Sequence, residues 1–187
     1  MKLPPQAKLI FKGQIFDVYQ WEQELFDGSK AIFEMIKRPN TVQIIPTSDE
    51  KIFLLEEEQP TKGRYHSLIG GRQDERETPL ECAKRELLEE SGMVSDNWEM
   101  LFTYDPYSKI DWTIYVFVAR NCKKIQEQNL DAGEKIQVQI ATFDEFITMM
   151  IKSNIRVGSE LILDIMRIKE KSGVKLDKFK KKLFGKK

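Results

Sequence analysis

The chain has 187 residues, a length that suits one domain with a small appendage. Hydrophobic residues make up 41% of it, and 30 Lys and Arg balance 30 Asp and Glu, so no net charge favours nucleic acid or a membrane surface as a partner. Cys82 and Cys122 are too few for a disulfide or metal framework, and no apolar run approaches the roughly 18 residues of a membrane span. We expect a cytoplasmic protein.

The first 40 residues predict a leader of strands. β-Branched and aromatic residues concentrate in segments 8–11, 14–25 and 30–37, and Asp27-Gly28 is a hairpin signal between the last two. Such an antiparallel β-ribbon is marginally stable alone, so it must pack on the rest of the chain or on a second subunit. Arg38-Pro39-Asn40 interrupts the pattern, and we place a boundary there, with 1–40 as the leader.

The next segments predict the core of a sheet. Residues 41–46 and 51–57 read as a hairpin, 59–64 as a loop, and 65–69 as a short strand. Further along, 98–104 and 111–120 read as strands. The second is apolar on both faces, which predicts a central position covered on both sides.

A well-marked helix follows the strand at 65–69. Thr78 and Glu81 predict a capping box, Pro79 fits the first helical turn, and Gly92 fits the left-handed C-terminal position. One face is apolar. The other carries Glu86 and Glu90, four residues apart and therefore one above the other, a pair of hard oxygen ligands suited to Mg²⁺ or Mn²⁺.

The remaining chain predicts a polar loop at 122–134, a strand at 135–142, a helix capped by Thr142, and a helix at 157–169. From Lys175 to Lys187 there are seven lysines and one aspartate, and we expect a frayed, solubilising end. The order of elements indicates an α/β (α+β) fold, a mixed sheet covered by helices, with a domain at 41–172 and a basic tail at 173–187.

The helix and the loop before it resemble the Nudix box of the Nudix hydrolases. The pattern is matched in full by Gly71, Glu77, Arg85, Glu86, Leu87, Glu89, Glu90, Gly92 and Met93. The resemblance implies the Nudix αβα sandwich and the hydrolysis of a nucleoside diphosphate linked to another group. The leader resembles that of the ADP-ribose pyrophosphatase and nucleoside diphosphate sugar hydrolase branch, which implies a homodimer, often with exchanged strands.

The resemblance also implies roles for individual residues. Glu86 and Glu90 would ligate the metal, with the Gly70 carbonyl completing the site. Glu89 would act as a ligand directly or through water, with a part in catalysis. Glu77 and Arg85 would orient the box. These assignments imply Mg²⁺ as the cofactor, with Mn²⁺ as a possible substitute.

The resemblance to the ADP-ribose branch also implies that the general base comes from the polar loop at 122–134. That loop carries the acids Glu127, Asp131 and Glu134, and Glu134 is our choice.

The substrate cannot be assigned from the resemblance, because the sequence differs from the branch in three places. Thr61 stands where the branch usually carries the arginine of Gln-x-Arg, Ser67 and Ile69 replace an acid and a proline, and Asp105-Pro106-Tyr107 replaces a Ser-Pro-Gly turn. Candidate substrate contacts are Arg64, Tyr104 and Tyr107.

We expect the pyrophosphate bond of ADP-ribose or a related nucleotide sugar to be cleaved to a nucleoside monophosphate and a sugar phosphate. The alternatives are GDP-mannose, a dinucleotide or a capped RNA as substrate, or a non-catalytic module that senses a nucleotide. A nucleic acid partner is otherwise not expected.

Overall fold

The computed structural model describes residues 2–60, 62–130, 132–152, 155–156 and 173–185. The helix expected at 157–169 lies outside these ranges. Thirteen strands and three helices are described, and the helices are α1 (Pro79–Ser91), α2 (Phe143–Ile151) and α3 (Gly173–Phe184).

The leader forms an antiparallel sheet, as the sequence predicts. Its strands are β1 (Lys8–Lys12), β2 (Asp17–Glu24) and β3 (Lys30–Lys37). The second strand begins later than expected, because the Gly13 N–H donates to the Phe16 carbonyl across 3.1 Å and closes a turn. A fourth strand, β9 (Ile110–Asp111), adds to β3 in parallel and joins the leader to the main domain.

The main sheet is mixed and consists of two halves that share one hairpin. Its strands are β4 (Thr41–Ser48), β5 (Lys51–Gln59), β6 (Lys62–Ser67), β8 (Asn97–Tyr104), β10 (Ile114–Arg120), β12 (Lys135–Thr142) and β13 (Ile155–Arg156). One half is β8, β10 and β4, with β10 parallel to β4; the other is β12, β5, β6 and β13. Strands β4 and β5 pair only where Thr47 faces Ile52 and Ser48 faces Lys51. Beyond this point they diverge.

Two strand predictions need correction. The loop expected at 59–64 is a tight connection, because Gln59 already faces Lys62 across β5 and β6. The strand expected at 111–120 is divided at Trp112 and Thr113, where the chain passes from the leader sheet to the main sheet. The central position of its second part is confirmed, since β10 lies between β4 and β8 with Val116, Val118 and Ala119 fully buried.

Helix α1 covers one face of the main sheet. Its capping box is present as predicted, with the Glu81 N–H donating to Thr78 Oγ1 and the Thr78 N–H donating to Glu81 Oε2. Gly92 ends the helix with a φ of 69°. Cys82, Ala83 and Leu87 pack against buried residues of the sheet. Two short strands beyond the helix, β7 (Met93–Val94) and β11 (Lys123–Lys124), pair with each other.

Helices α2 and α3 cover the other face, which completes the αβα sandwich. The expectation of a frayed basic end is wrong for the described part of the tail, because α3 packs on the core. Leu183 is fully buried, and Phe179 and Phe184 lie against Phe143 of α2. Apolar residues at helical spacing among the lysines give α3 one buried stripe, which a count of charges does not detect.

Of the three described helices, none combines the length with the apolar character needed to cross a bilayer.

Candidate active site

Glu90 is held at the base of the site by the segment that leads into the box. The Gly70 N–H donates to Glu90 Oε2 across 2.8 Å. Gly70 has a φ of 148°, and a Cβ there would lie 2.2 Å from the Val42 carbonyl oxygen, so glycine is required. Burial raises the pKa of Glu90 well above its usual range; the Gly70 amide opposes this, and the nearby Glu86 and Glu57 raise the pKa further.

Glu86 lies beside Gly71, one turn of helix from Glu90. A Cβ on residue 71 would lie 2.3 Å from Glu86 Oε1, so the absent side chain makes room for this carboxylate. Burial raises the pKa of Glu86, and the Arg85 guanidinium opposes the shift. Glu86 and Glu90 are thus two carboxylates, 9% and 8% exposed, that a cation would stabilise in their charged form.

Arg85 ties the box loop to the helix. Its Nη2 donates to Glu77 Oε1 across 2.7 Å and its Nε to Glu77 Oε2 across 3.2 Å. Its Nη1 donates to Glu86 Oε1 at 2.9 Å and to Glu89 Oε2 at 3.0 Å. The Arg85 contacts, with an added backbone donor from Asp74, lower the pKa of Glu77 to about 2. The sequence places these groups near one another, and the structure shows them in one network.

The loop between β10 and β12 is anchored to the end of α1. The Ile125 N–H donates to the Gly92 carbonyl across 2.9 Å, and the Asn129 N–H donates to the Glu89 carbonyl across 2.9 Å. This anchoring brings Glu134 to the site, where its charge contributes to the raised pKa values of both Glu86 and Glu90. Of the other two loop acids, Glu127 pairs with Lys124 on the surface, and Asp131 lies outside the described residues.

The box residues and the loop enclose a cavity of about 490 Å³. That volume suits a small molecule. Its described wall consists of Ile15, Arg38, Gly70, Gly71, Arg72, Asp74, Arg85, Glu86, Glu89, Glu90, Asn129, Leu130 and Glu134. Arg38 and Arg72 were not among the site residues predicted from the sequence. Arg38 was placed at a domain boundary, and the signal that could have identified it is an arginine immediately before the first core strand.

The three candidate substrate contacts lie away from the described wall of this cavity. Arg64 of β6 forms an ion pair with Glu56 of β5 across 3.2 Å. The Tyr104 hydroxyl donates to Gln43 Oε1 across 3.4 Å. Tyr107 stacks on Trp112 with ring centroids 6.4 Å apart. Residue type alone made them candidates, and each of them contacts a neighbour outside the cavity wall.

The oxygen groups of the site fit a hard divalent cation in kind and in charge. Glu86, Glu89, Glu90 and Glu134 contribute four carboxylates, two of them buried with raised pKa values. Within the described ranges no three such groups converge as a finished ligand set. Arg85 donates hydrogen bonds to Glu86 and Glu89. For the Glu90 carboxylate, the described hydrogen bond comes from the Gly70 backbone N–H.

Comparisons with known proteins agree with this geometry. The model of the NUDIX domain matches residues 37–161. The chain is 26% identical over 145 residues to an ADP-ribose pyrophosphatase of Bacillus subtilis (strain 168), covering 75% of this chain and 78% of the relative. It is 27% identical over 144 residues to a methanol dehydrogenase activator of Bacillus methanolicus, with the same coverage.

A solved structure, described as that of an ADP compounds hydrolase, superposes with a TM-score of 0.67 at 19% identity, over 87% of this chain and 90% of that one. It supports the fold. Since the NUDIX model covers more than half of the chain and the box carboxylates Glu86, Glu89 and Glu90 line one cavity, the protein belongs to the NUDIX domain family and is a Nudix hydrolase, an enzyme that uses divalent metal ions to cleave pyrophosphate linkages in nucleoside diphosphate derivatives.

Proposed function

We propose that the enzyme hydrolyses the pyrophosphate bond of ADP-ribose or a related nucleotide sugar in the presence of Mg²⁺, with release of a nucleoside monophosphate and a sugar phosphate. The observation that carries the proposal is that three box carboxylates, Glu86, Glu89 and Glu90, line one cavity with Glu134 beside them. The name of the Bacillus subtilis relative supports the choice of ADP-ribose.

The proposed metal ligands are the carboxylates of Glu86, Glu89 and Glu90 and the carbonyl oxygen of Gly70. Gly70 already contacts Glu90 through its N–H, so its backbone lies beside the carboxylates. A bound Mg²⁺ supplies charge neutralisation for phosphate oxygens and lowers the pKa of a bound water. Mn²⁺ has the same preference for oxygen ligands and is a possible substitute.

The protein side chains divide the remaining work. Glu134 accepts a proton from the attacking water, whose oxygen then forms a bond to one phosphorus. The bond from that phosphorus to the bridging oxygen breaks, and the bridging oxygen leaves with the second phosphate. Glu77 and Arg85 keep the box loop against α1, so that the carboxylates stay where the diphosphate binds.

Substitution of the carboxylates tests the metal assignment. Glu86→Gln and Glu90→Gln should lose Mg²⁺-dependent turnover by at least ~100-fold, with little loss of folded protein, because the amide is nearly isosteric but binds Mg²⁺ poorly. Glu127→Gln is the matched control, since that carboxylate pairs with Lys124 at the surface. Near wild-type rates in either box variant would contradict the assignment.

The role of Glu134 is tested by the pH dependence of the rate. If Glu134 is the general base, the acidic limb of the pH–rate profile should disappear in Glu134→Gln, and kcat should fall by ~100-fold or more. Glu127→Gln again serves as the control from the same loop. An unchanged profile in the Glu134 variant would remove it as the base.

The substrate is tested with a panel in Mg²⁺: ADP-ribose, GDP-mannose, NADH, a diadenosine polyphosphate and capped RNA, with products identified by mass. Release of AMP and ribose phosphate from ADP-ribose, faster than from the others, is the expected result. Faster cleavage of another member would transfer the assignment to that substrate.

We infer further that the leader, residues 1–40, mediates a homodimer, while 41–172 form the Nudix domain, on which α3 of the basic segment 173–187 packs. The edge strand β1 exposes three consecutive apolar side chains, with Leu9, Ile10 and Phe11 exposed at 47%, 58% and 60%. An apolar edge strand of this kind is normally covered. Light scattering should give twice the mass of one chain, and Phe11→Glu should dissociate the dimer while Lys8→Glu should not. A monomeric wild-type protein would contradict the inference.

A further inference from the structure

We propose that Arg38 and Arg72 form the subsite that holds the diphosphate of the substrate. The inference rests on the proposed function and assigns the groups that receive the anion. Both arginines line the cavity that also contains the carboxylates of Glu86 and Glu90. A diphosphate in this cavity would contact the metal site on one side and would accept hydrogen bonds from two guanidinium groups.

The first support is an unsatisfied donor. Arg38 Nε is buried and has no hydrogen-bond partner among the described residues. A buried polar group without a partner is costly, and native proteins rarely keep one unless a ligand or water uses it. The guanidinium lies 4.2 Å from the centre of the Trp112 ring, which holds its plane in place. Arg38 is therefore a fixed donor.

The second support is the pairing of like charges. Burial and the neighbouring Arg72 both lower the pKa of Arg38. The two positive charges therefore repel each other, and this repulsion costs free energy in the folded protein. Among the residues that the structure describes, no carboxylate forms an ion pair with either arginine. Asp74 lies on the same wall, but the contacts described for it are made by its backbone: its N–H donates to the Glu77 carboxylate, and its carbonyl accepts from the Glu77 N–H. Two cations near each other without a carboxylate partner are stabilised when an anion binds between them.

A diphosphate fits this arrangement better than a carboxylate does. The planar guanidinium forms paired hydrogen bonds with phosphate oxygens, and a diphosphate has enough oxygens for two arginines and a metal at once. Arg38 also lines a second cavity of about 600 Å³ together with Leu9 and Tyr19 of the leader, and this volume suits one of the groups linked to the diphosphate.

Calorimetry with methylenediphosphonate in Mg²⁺ tests the subsite without turnover, because the P–C–P bridge of this probe cannot be hydrolysed. Arg38→Gln and Arg72→Gln should each raise Kd by about 10-fold or more, since each removes a charged hydrogen-bond donor. Arg38→Lys should fall between wild type and Arg38→Gln, because it keeps the charge but not the planar fork. Arg76→Gln, an exposed arginine of the same loop, is the matched control and should leave Kd within about 2-fold.

Thermal unfolding of the ligand-free variants separates binding from structure. Arg38→Gln should change Tm by no more than about 4 °C, since the loss of the Trp112 contact is offset by the loss of repulsion. The same variants should raise KM for the cleaved substrate more than they lower kcat. Unchanged Kd in both variants, or inorganic phosphate binding as tightly as the diphosphonate, would overturn the proposal. A weakened Kd would uphold the subsite even if the substrate panel showed no turnover.

Discussion

Replacement of Glu77 by glutamine tests whether the Arg85 network stabilises the folded box. Glu77 is charged in the folded protein, and its side chain is 16% exposed. It accepts three described hydrogen bonds, two from Arg85 and one from the Asp74 N–H. Glutamine has nearly the same shape but turns an N–H donor toward the arginine. The variant therefore removes the charge and one acceptor without leaving a cavity.

The magnitude follows from the pKa of Glu77, which is lowered from 4.5 to about 2 in the folded state. At ~1.4 kcal/mol for each pKa unit, the charged form contributes at most ~3 kcal/mol to the free energy of unfolding. Arg85 keeps Glu86 and Glu89 as partners in the variant, and solvent screens part of the interaction. We expect Glu77→Gln to lower the free energy of unfolding at pH 7 by ~1–2 kcal/mol.

The stability difference between wild type and Glu77→Gln should decrease as the pH falls. Because the folded pKa lies below the unfolded value, the stabilisation is complete above pH 4.5 and is lost as the pH falls toward about 2. Urea unfolding of wild type and variant, in EDTA, should therefore show a stability difference at pH 3 that is roughly half or less of that at pH 7. Glu127→Gln should leave stability unchanged at both values. An equal difference at pH 7 and pH 3 would show that charge is not the cause.

Three further substitutions test the close contacts of the site. Glu90→Gln should raise the stability of the metal-free protein at neutral pH, measured as Tm in EDTA. The pKa of Glu90 is higher in the folded than in the unfolded protein, so ionisation of this carboxyl lowers the stability increasingly as the pH rises above 4.5. No gain in Tm would contradict the burial argument. Gly71→Ala should reduce turnover by ~10-fold or more, because its Cβ would displace the Glu86 carboxylate; unchanged kcat would contradict this. Gly92→Ala should lower the free energy of unfolding in urea by about 2 kcal/mol or more, because φ is 69° and its Cβ would lie 2.0 Å from the Gln126 carbonyl oxygen. A smaller decrease would show that the backbone relaxes easily around the new side chain.

Local chemistry is the part that the sequence predicts well. The capping box of Thr78 and Glu81 and the left-handed Gly92 involve groups a few residues apart, so their spacing is enough to identify them. The same is true of the second capping box at Thr142. The position of β10 at the centre of the sheet was also predictable, because a strand that is apolar on both faces must be covered on both.

Contacts between distant segments account for the misses. Arg38 was interpreted as a boundary residue, yet it stacks on Trp112, which lies 74 positions further along the chain. The tail was interpreted from its charge, yet Arg120 of β10 donates from Nε to the Lys182 carbonyl across 3.0 Å and satisfies the end of α3. Neither contact can be predicted from local sequence, because the two residues in each contact are far apart in the chain and share no periodic pattern or motif.

The sequence by itself determined the reaction class, since Glu77, Arg85, Glu86, Glu89 and Glu90 lie within 14 consecutive residues and their spacing on a loop and helix implies one acidic face. Only the tertiary structure decided what faces them. The divergence of β4 from β5 opens the sheet where the box begins, and the anchoring of the later loop brings in Glu134. Arg38, the residue directly after β3 of the leader sheet, lines the same cavity. A helix fixes its own spacing through local hydrogen bonds, whereas the opposite walls of a cavity depend on the packing of separate elements.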